Sequence, residues 1–380
     1  MNRTANNRIS LLAIPGLMHA FVDCTCAMVF SWLIISATLS AGSFISLVIT
    51  YNILAFGLQT VFGYIIDKTK LARWSMAVGS VSTGIALILL PRAPVAAACI
   101  AGIGNALFHV GGAPFAIAST PGKATGPALF VAPGAAGLFI GTVLGKSGNF
   151  FFLPVALVLF TGAVVVWFVC HINTQTMYSG RSFQWRVITP LLFLLLFSVT
   201  VRSLAGLALA APWKNDMLMA ACLAGAAVFG KAFGGIVADK AGWLITGTIC
   251  LALSALFQGP ANSVPVFAVL SMLFLQATMG LTLAAMVSLL RAYPATAFGL
   301  CSSGLLFGAL PMFSQVKTTV CQPGVITILI LVSGITLFYA LKGLLTVESA
   351  QNGLVLQTTD NSQINISSIN HMHQNRGGVL

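Results

Sequence analysis

Gly63-Tyr64-Ile65-Ile66-Asp67-Lys68 and Gly235-Ile236-Val237-Ala238-Asp239-Lys240 carry one phrase, Gly-x-x-x-Asp-Lys, 172 positions apart. Each copy follows a long apolar run (42–65 and 216–238). A second echo joins Gly137-Leu138-Phe139-Ile140-Gly141 to Gly304-Leu305-Leu306-Phe307-Gly308 at an offset of 167. Two echoes at nearly one offset predict a chain built as two parallel repeats.

The composition says what surrounds those repeats. Of 380 residues, 58% are hydrophobic and 6% are charged, with a mean hydropathy of +0.98. Soluble domains carry roughly 25% charged residues, so this chain has too few to cover a water-facing surface. Soluble enzymes, nucleic-acid-binding domains and disordered chains are excluded. The net charge of +12 is spread as single basic residues between apolar runs, so nucleic acid is not an expected partner. The eight cysteines include no CxxC pair and lie mostly within apolar segments, as buried thiols do.

A helix needs about 20 apolar residues to cross the hydrocarbon. Twelve segments qualify: 11–37, 42–65, 75–91, 94–118, 125–145, 149–171, 187–210, 216–238, 242–258, 264–290, 296–316 and 324–344. The expected fold is an all-α membrane protein of twelve transmembrane helices in two six-helix pseudo-symmetric bundles. Residues 1–171 form the first bundle, 172–186 a cytoplasmic linker and 187–345 the second bundle. Residues 346–380, rich in Asn, Gln, Ser and Thr, read as a disordered cytoplasmic tail. Twelve of the 18 Lys and Arg fall on the side of the termini and the linker. Four (Arg92, Lys146, Lys214, Lys317) fall on the other. That asymmetry predicts both termini in the cytoplasm and a multi-pass chain in the inner or plasma membrane.

An ionisable residue at bilayer depth costs roughly 2.5–3.5 kcal/mol on insertion scales and is a functional candidate for that reason. Five lie within the spans: His19, Asp23, His109, Arg202 and Lys231. His19 and Asp23 are four apart and share a helix face. A carboxylate one turn from an imidazole can pass a proton, so Asp23 leads the proton-coupling candidates, with His19 and His109. Asn105 and His109 repeat the spacing in the fourth span. Arg202 offers bidentate recognition of a carboxylate or phosphate, with Asn105 and Lys231 as further substrate contacts. A permanent Arg202–Asp23 pair is the competing reading. In the repeated phrase, Gly63 and Gly235 permit close helix approach. Asp67, Lys68, Asp239 and Lys240 are then candidates for a cytoplasmic gate, pairing with a base or capping a neighbouring helix N-terminus.

Here the chain resembles the major facilitator superfamily, whose motif Gly-x-x-x-Asp-Arg/Lys-x-Gly-Arg/Lys occupies this loop. The first copy has Lys70 where the second glycine belongs, and the second copy keeps it as Gly242. Residues 15–145 also resemble the fosmidomycin-resistance branch of drug exporters. The likeness lies in Met18-His19-Ala20-Phe21-Val22-Asp23, Leu58-Gln59, Gly63-Tyr64, Asp67-Lys68 and Gly102-Ile103-Gly104-Asn105-Ala106-Leu107-Phe108-His109. That branch continues with His-Pro-Glu, whereas this chain reads His109-Val110-Gly111. Glycine-rich fifth helices with a Gly-Pro pair are associated with exporters in the superfamily. Here Gly137, Gly141 and Gly145 form the ladder, and the pair is Gly141-Thr142.

Together these features imply a secondary transporter, not an enzyme. The expected activity is proton-coupled export of a small, anionic molecule by alternating access. Uptake of an organic anion and a non-transporting scaffold or sensor are the alternatives. No cofactor or metal is expected. The partners are the substrate, protons and lipid, and the chain is read as a monomer.

Overall fold

The computed structural model describes residues 10–170, 185–213, 215–261 and 263–374, with side chains described through residue 350. Most of the expected linker (172–184) and the last residues of the expected tail (375–380) lie outside them. The described chain is helical, with no strand among the described residues.

The first half contains α1 (Ala13–Ser36), α2 (Ala41–Thr69), α3 (Ala72–Leu89), α4 (Pro94–Ser119), α5 (Thr125–Lys146) and α6 (Phe152–Val169). The second contains α7 (Trp185–Ala210), α8 (Met217–Ala241), α9 (Trp243–Gln258), α10 (Pro265–Leu289), α11 (Pro294–Ala309) and α12 (Pro323–Gln374). Eleven described helices are long and apolar enough to cross a membrane, and α9 is a shorter apolar helix of 16 residues. Large side chains such as Phe168, Phe193, Leu218 and Phe229 are exposed on the outside. Helices suit that setting because they satisfy their own backbone hydrogen bonds.

Two helices depart from regularity. A π-helical turn, Ile53–Gly57, interrupts α2, and such turns often mark functional positions. The tenth span breaks at Thr278, between Pro265–Ala277 and Met279–Leu289. At the end of the chain, α12 continues through Gln374. The described helix takes in residues 346–374, part of the stretch whose composition predicts a disordered cytoplasmic tail; that part contains no proline.

Each half has its own core. Val22, Met28, Leu87, Phe108 and Leu159 belong to one, and Leu195, Leu251, Met286 and Leu337 to the other. Ala295 and Phe298 of α11 pack into the first core, and Ala124, just before α5, packs into the second. Those crossing residues mark where the bundles meet. Within the first bundle, α1 lies unusually close to α5. A Cβ added at Gly137, Gly141 or Gly145 would collide with backbone at Ala20, Cys24 and Met28 respectively. The glycine ladder thus packs two helices together and brings Asp23 beside Gly134.

Candidate functional site

The repeated phrase makes two reciprocal contacts between the bundles. Asp67, at the end of α2, accepts hydrogen bonds from the N–H groups of Ala295 (3.1 Å) and Thr296 (2.8 Å), and from the Thr296 hydroxyl (2.7 Å). Asp239, at the end of α8, accepts from the N–H groups of Ala124 (2.7 Å) and Thr125 (2.9 Å) and from the Thr125 hydroxyl (2.5 Å). The first amides of a helix have no partners within it and carry partial positive charge. Each carboxylate therefore caps a helix belonging to the other bundle. Of the two options weighed from sequence, the structure shows the helix cap.

The glycines make this reach possible. A Cβ at Gly63 would lie 2.5 Å from the Ala295 carbonyl oxygen, and one at Gly235 would strike Ala128. Lys68 adds to the first contact, donating to the Tyr293 hydroxyl (3.2 Å) above the stacked rings of Tyr64 and Tyr293. Lys240 is exposed and makes no equivalent contact among the described residues. The receiving pairs, Ala124-Thr125 and Ala295-Thr296, were not singled out from sequence. Their own recurrence, 171 positions apart, is the signal that would have found them.

Deeper in the first bundle, the structure gathers His19, Asp23, Asn105 and His109. His19 Nε2 lies 2.8 Å from His109 Nε2 and 3.2 Å from an Asp23 oxygen; the other oxygen is 3.6 Å from His109 Nε2. The Asn105 amide donates to Asp23 (3.2 Å). Asn105, expected among the substrate contacts, thus belongs to the histidine cluster. Phe108 and Phe130 face His19, and Phe298 of α11 faces His109. The ligand-type atoms of His19, Asp23 and His109 lie within 4.8 Å of one another, a metal-like donor set that spacing along two helices did not display. The two imidazoles face each other with their Nε2 atoms at hydrogen-bond distance.

Arg202 is not paired with Asp23. Its guanidinium is buried, donates to the hydroxyls of Thr278 (2.8 Å) and Thr282 (3.2 Å), and leaves Nε and Nη2 without partners. Thr278 sits at the break in α10, and Thr282 one turn beyond it. Arg202 lines a cavity of about 680 Å³ together with Lys231 and Lys146, and no acidic residue among the described residues lines it. Lys231 has no hydrogen-bond or ion-pair partner among the described residues, although it lies within electrostatic reach of Asp23. Gln276 and Trp213 also line this cavity, and each has a buried polar atom without a partner. The walls otherwise include Phe56, Phe139, Leu207 and Met272. Lys146, Trp213 and Met217 mark helix ends opposite those capped by Asp67 and Asp239. The cavity therefore opens away from the two caps.

Two bundles with ends capped in exchange surround a cavity open on one side, a fold shared with a solved major facilitator transporter. No family model and no curated protein sequence matches the chain. Solved structures do. The human organic anion transporter MFSD10 (TETRAN) is similar with a TM-score of 0.66 at 12% identity, covering 89% of this chain and 100% of that one. The transporter FucP in the outward conformation gives 0.61 at 10% identity, with coverage of 89% and 99%. A single-substitution variant of FucP, the E. coli fucose:proton symporter, gives 0.62 at 10%, with coverage of 90% and 98%. At these identities the likeness is one of fold, and it does not single out the fosmidomycin-resistance branch.

Proposed function

We propose that this chain is a secondary active transporter that moves a small organic anion by alternating access, coupled to protons. The observation that carries the reading is Arg202: it lines a cavity that also holds Lys231 and Lys146 and, among the described residues, no carboxylate, and two of its buried N–H groups have no partner. A buried guanidinium with open donors is costly until something accepts from it. A carboxylate, phosphate or phosphonate on the substrate would do so, and the apolar walls suit an organic body. His19, Asp23 and His109 are the proposed proton-coupling set. Asp67, Lys68 and Asp239, with Gly63 and Gly235, are the proposed gate; Lys240 has no contact that supports a part in it.

The orientation we assign places the capped side and both termini in the cytoplasm of a cell with this chain in its inner or plasma membrane, following the basic residues. The protein acts as a monomer. Export is the assigned direction, resting on the resemblance of the first bundle and fifth helix to exporters. Uptake is the second reading, favoured by the position of Lys231. Protonation of the histidine cluster would offset Asp23 and release Lys231 to an anion, so that proton and anion bind together. A strain expressing the chain, screened against toxic organic anions, separates the directions: resistance means export and hypersensitivity means uptake.

A further inference from the structure

We infer that the transported proton is held between His19 and His109, with Asp23 as its fixed counter-charge, and that Phe298 of the opposite bundle seals it. The inference rests on the proton-coupled reading for its role in transport, but the protonation state can be measured with no transported molecule present.

The tautomers follow from the hydrogen-bond network. His19 Nδ1 lies 2.8 Å from the Phe130 carbonyl oxygen, and His109 Nδ1 lies 2.8 Å from the Asn105 carbonyl oxygen. A carbonyl oxygen only accepts, so both Nδ1 atoms carry hydrogen. A neutral imidazole has a single N–H. Two neutral rings held this way would point two lone pairs at each other across the 2.8 Å between their Nε2 atoms. That distance is an N–H···N hydrogen bond only if the pair holds one proton more than two neutral rings. Protonating Asp23 would not supply it, because the hydrogen is needed between the nitrogens. The ionised carboxylate, 3.2 Å from His19 and 3.6 Å from His109, offsets the resulting charge. The other titratable groups around the pair are Cys24 and Cys26 on α1, Tyr51 on α2 and Lys231 on α8. None stands between the two nitrogens.

The order along the helices gives the pair two sides. On α1, His19 is one turn nearer the capped end than Asp23. Asp23 is also the more exposed side chain, at 13% against 4%. Toward the caps, Phe130 lies over His19, with ring centroids 4.9 Å apart. Phe298 lies 6.1 Å from the His109 ring and 6.2 Å from Phe130. Phe298 is carried by α11, three residues beyond Ala295, which Asp67 caps. Any motion that draws Ala295 and Thr296 away from Asp67 draws Phe298 off the imidazoles. The proton would then arrive past Asp23 and leave past Phe298.

Nitrogen NMR tests this on the full chain in lipid, labelled with ¹⁵N-histidine and assigned with His19→Gln and His109→Gln. The inference expects both Nδ1 atoms protonated and one shared proton on the Nε2 pair at neutral pH, exchanging slowly with water. Exchange should become several-fold faster in Phe298→Ala and slow again in Phe298→Leu, which restores apolar bulk. A neutral pair, or a proton found on Asp23, overturns the storage site. Unchanged exchange in a folded Phe298→Ala overturns the seal. Absence of proton-driven flux with the shared proton present would count against the transport reading alone.

Discussion

Asp67 accepts from both the backbone N–H and the hydroxyl of Thr296, at 2.8 and 2.7 Å, across the boundary between the two bundles. Asp239 does the same to Thr125 in the opposite direction. One residue type in one phrase, used twice, therefore joins the two bundles at two pseudo-symmetric points. Because the caps lie between bundles and not within one, removing them should shift the balance between conformations more than it unfolds either bundle.

Asp67→Ala and Asp239→Ala should each favour the state open on the capped side. Hydrogen bonds to a charged group contribute about 1.5–3 kcal/mol, which corresponds to roughly a tenfold to hundredfold change in the equilibrium. Spin labels at Thr69 and Ser288, one in each bundle near the caps, would report it as a longer distance. The double mutant should add the two effects, since the contacts are separate.

Gly63→Ala should mimic Asp67→Ala. Alanine favours a helix over glycine by about 1 kcal/mol, so the substitution should not weaken α2 itself. Its Cβ, however, would lie 2.5 Å from the Ala295 carbonyl oxygen, a backbone atom that cannot step aside alone. The same spin-label distance should lengthen while thermal stability holds. A lower melting temperature with an unchanged distance would count against this account.

Much of this was legible in the chain. The helices could be counted because hydropathy and length set a membrane span, and the Gly-x-x-x-Asp-Lys phrase showed the repeat. The four-residue spacing put His19 and Asp23 on one face. The meeting of His19 with His109 was not legible, since 90 positions separate them and only the packing of α1 beside α4 and α5 brings the rings together. Arg202 was visible as a buried charge, but its Thr278 and Thr282 partners depend on the break in α10, which no proline or charge announces.

Asp23→Asn should abolish proton-driven accumulation while leaving substrate binding and exchange intact. The amide keeps the shape and its place beside His19, but removes the counter-charge for a protonated imidazole pair. Counterflow and pH-driven uptake, measured on the same vesicles, separate the two activities. Undiminished pH-driven accumulation in this variant would sink the assignment.

Arg202→Lys keeps the charge and loses the planar fork. If a carboxylate or phosphate accepts from the unpartnered Nε and Nη2 donors, affinity should fall by on the order of 2–3 kcal/mol. Isothermal titration with the anion found in the strain screen would check this. The same screen applied to Lys231→Gln should show a smaller loss of affinity together with a changed pH dependence, because Lys231 lines the cavity within electrostatic reach of Asp23.

Proton-coupled movement of an organic anion through the cavity at Arg202 can be measured as flux. The most direct measurement is flux of that anion in vesicles containing the purified chain, with and without an imposed pH gradient, beside Arg202→Gln vesicles. The account predicts gradient-driven flux in the native chain and its loss in Arg202→Gln, with the variant still folded. Gradient-independent flux, or equal flux of a neutral or cationic analogue in both proteins, would contradict it.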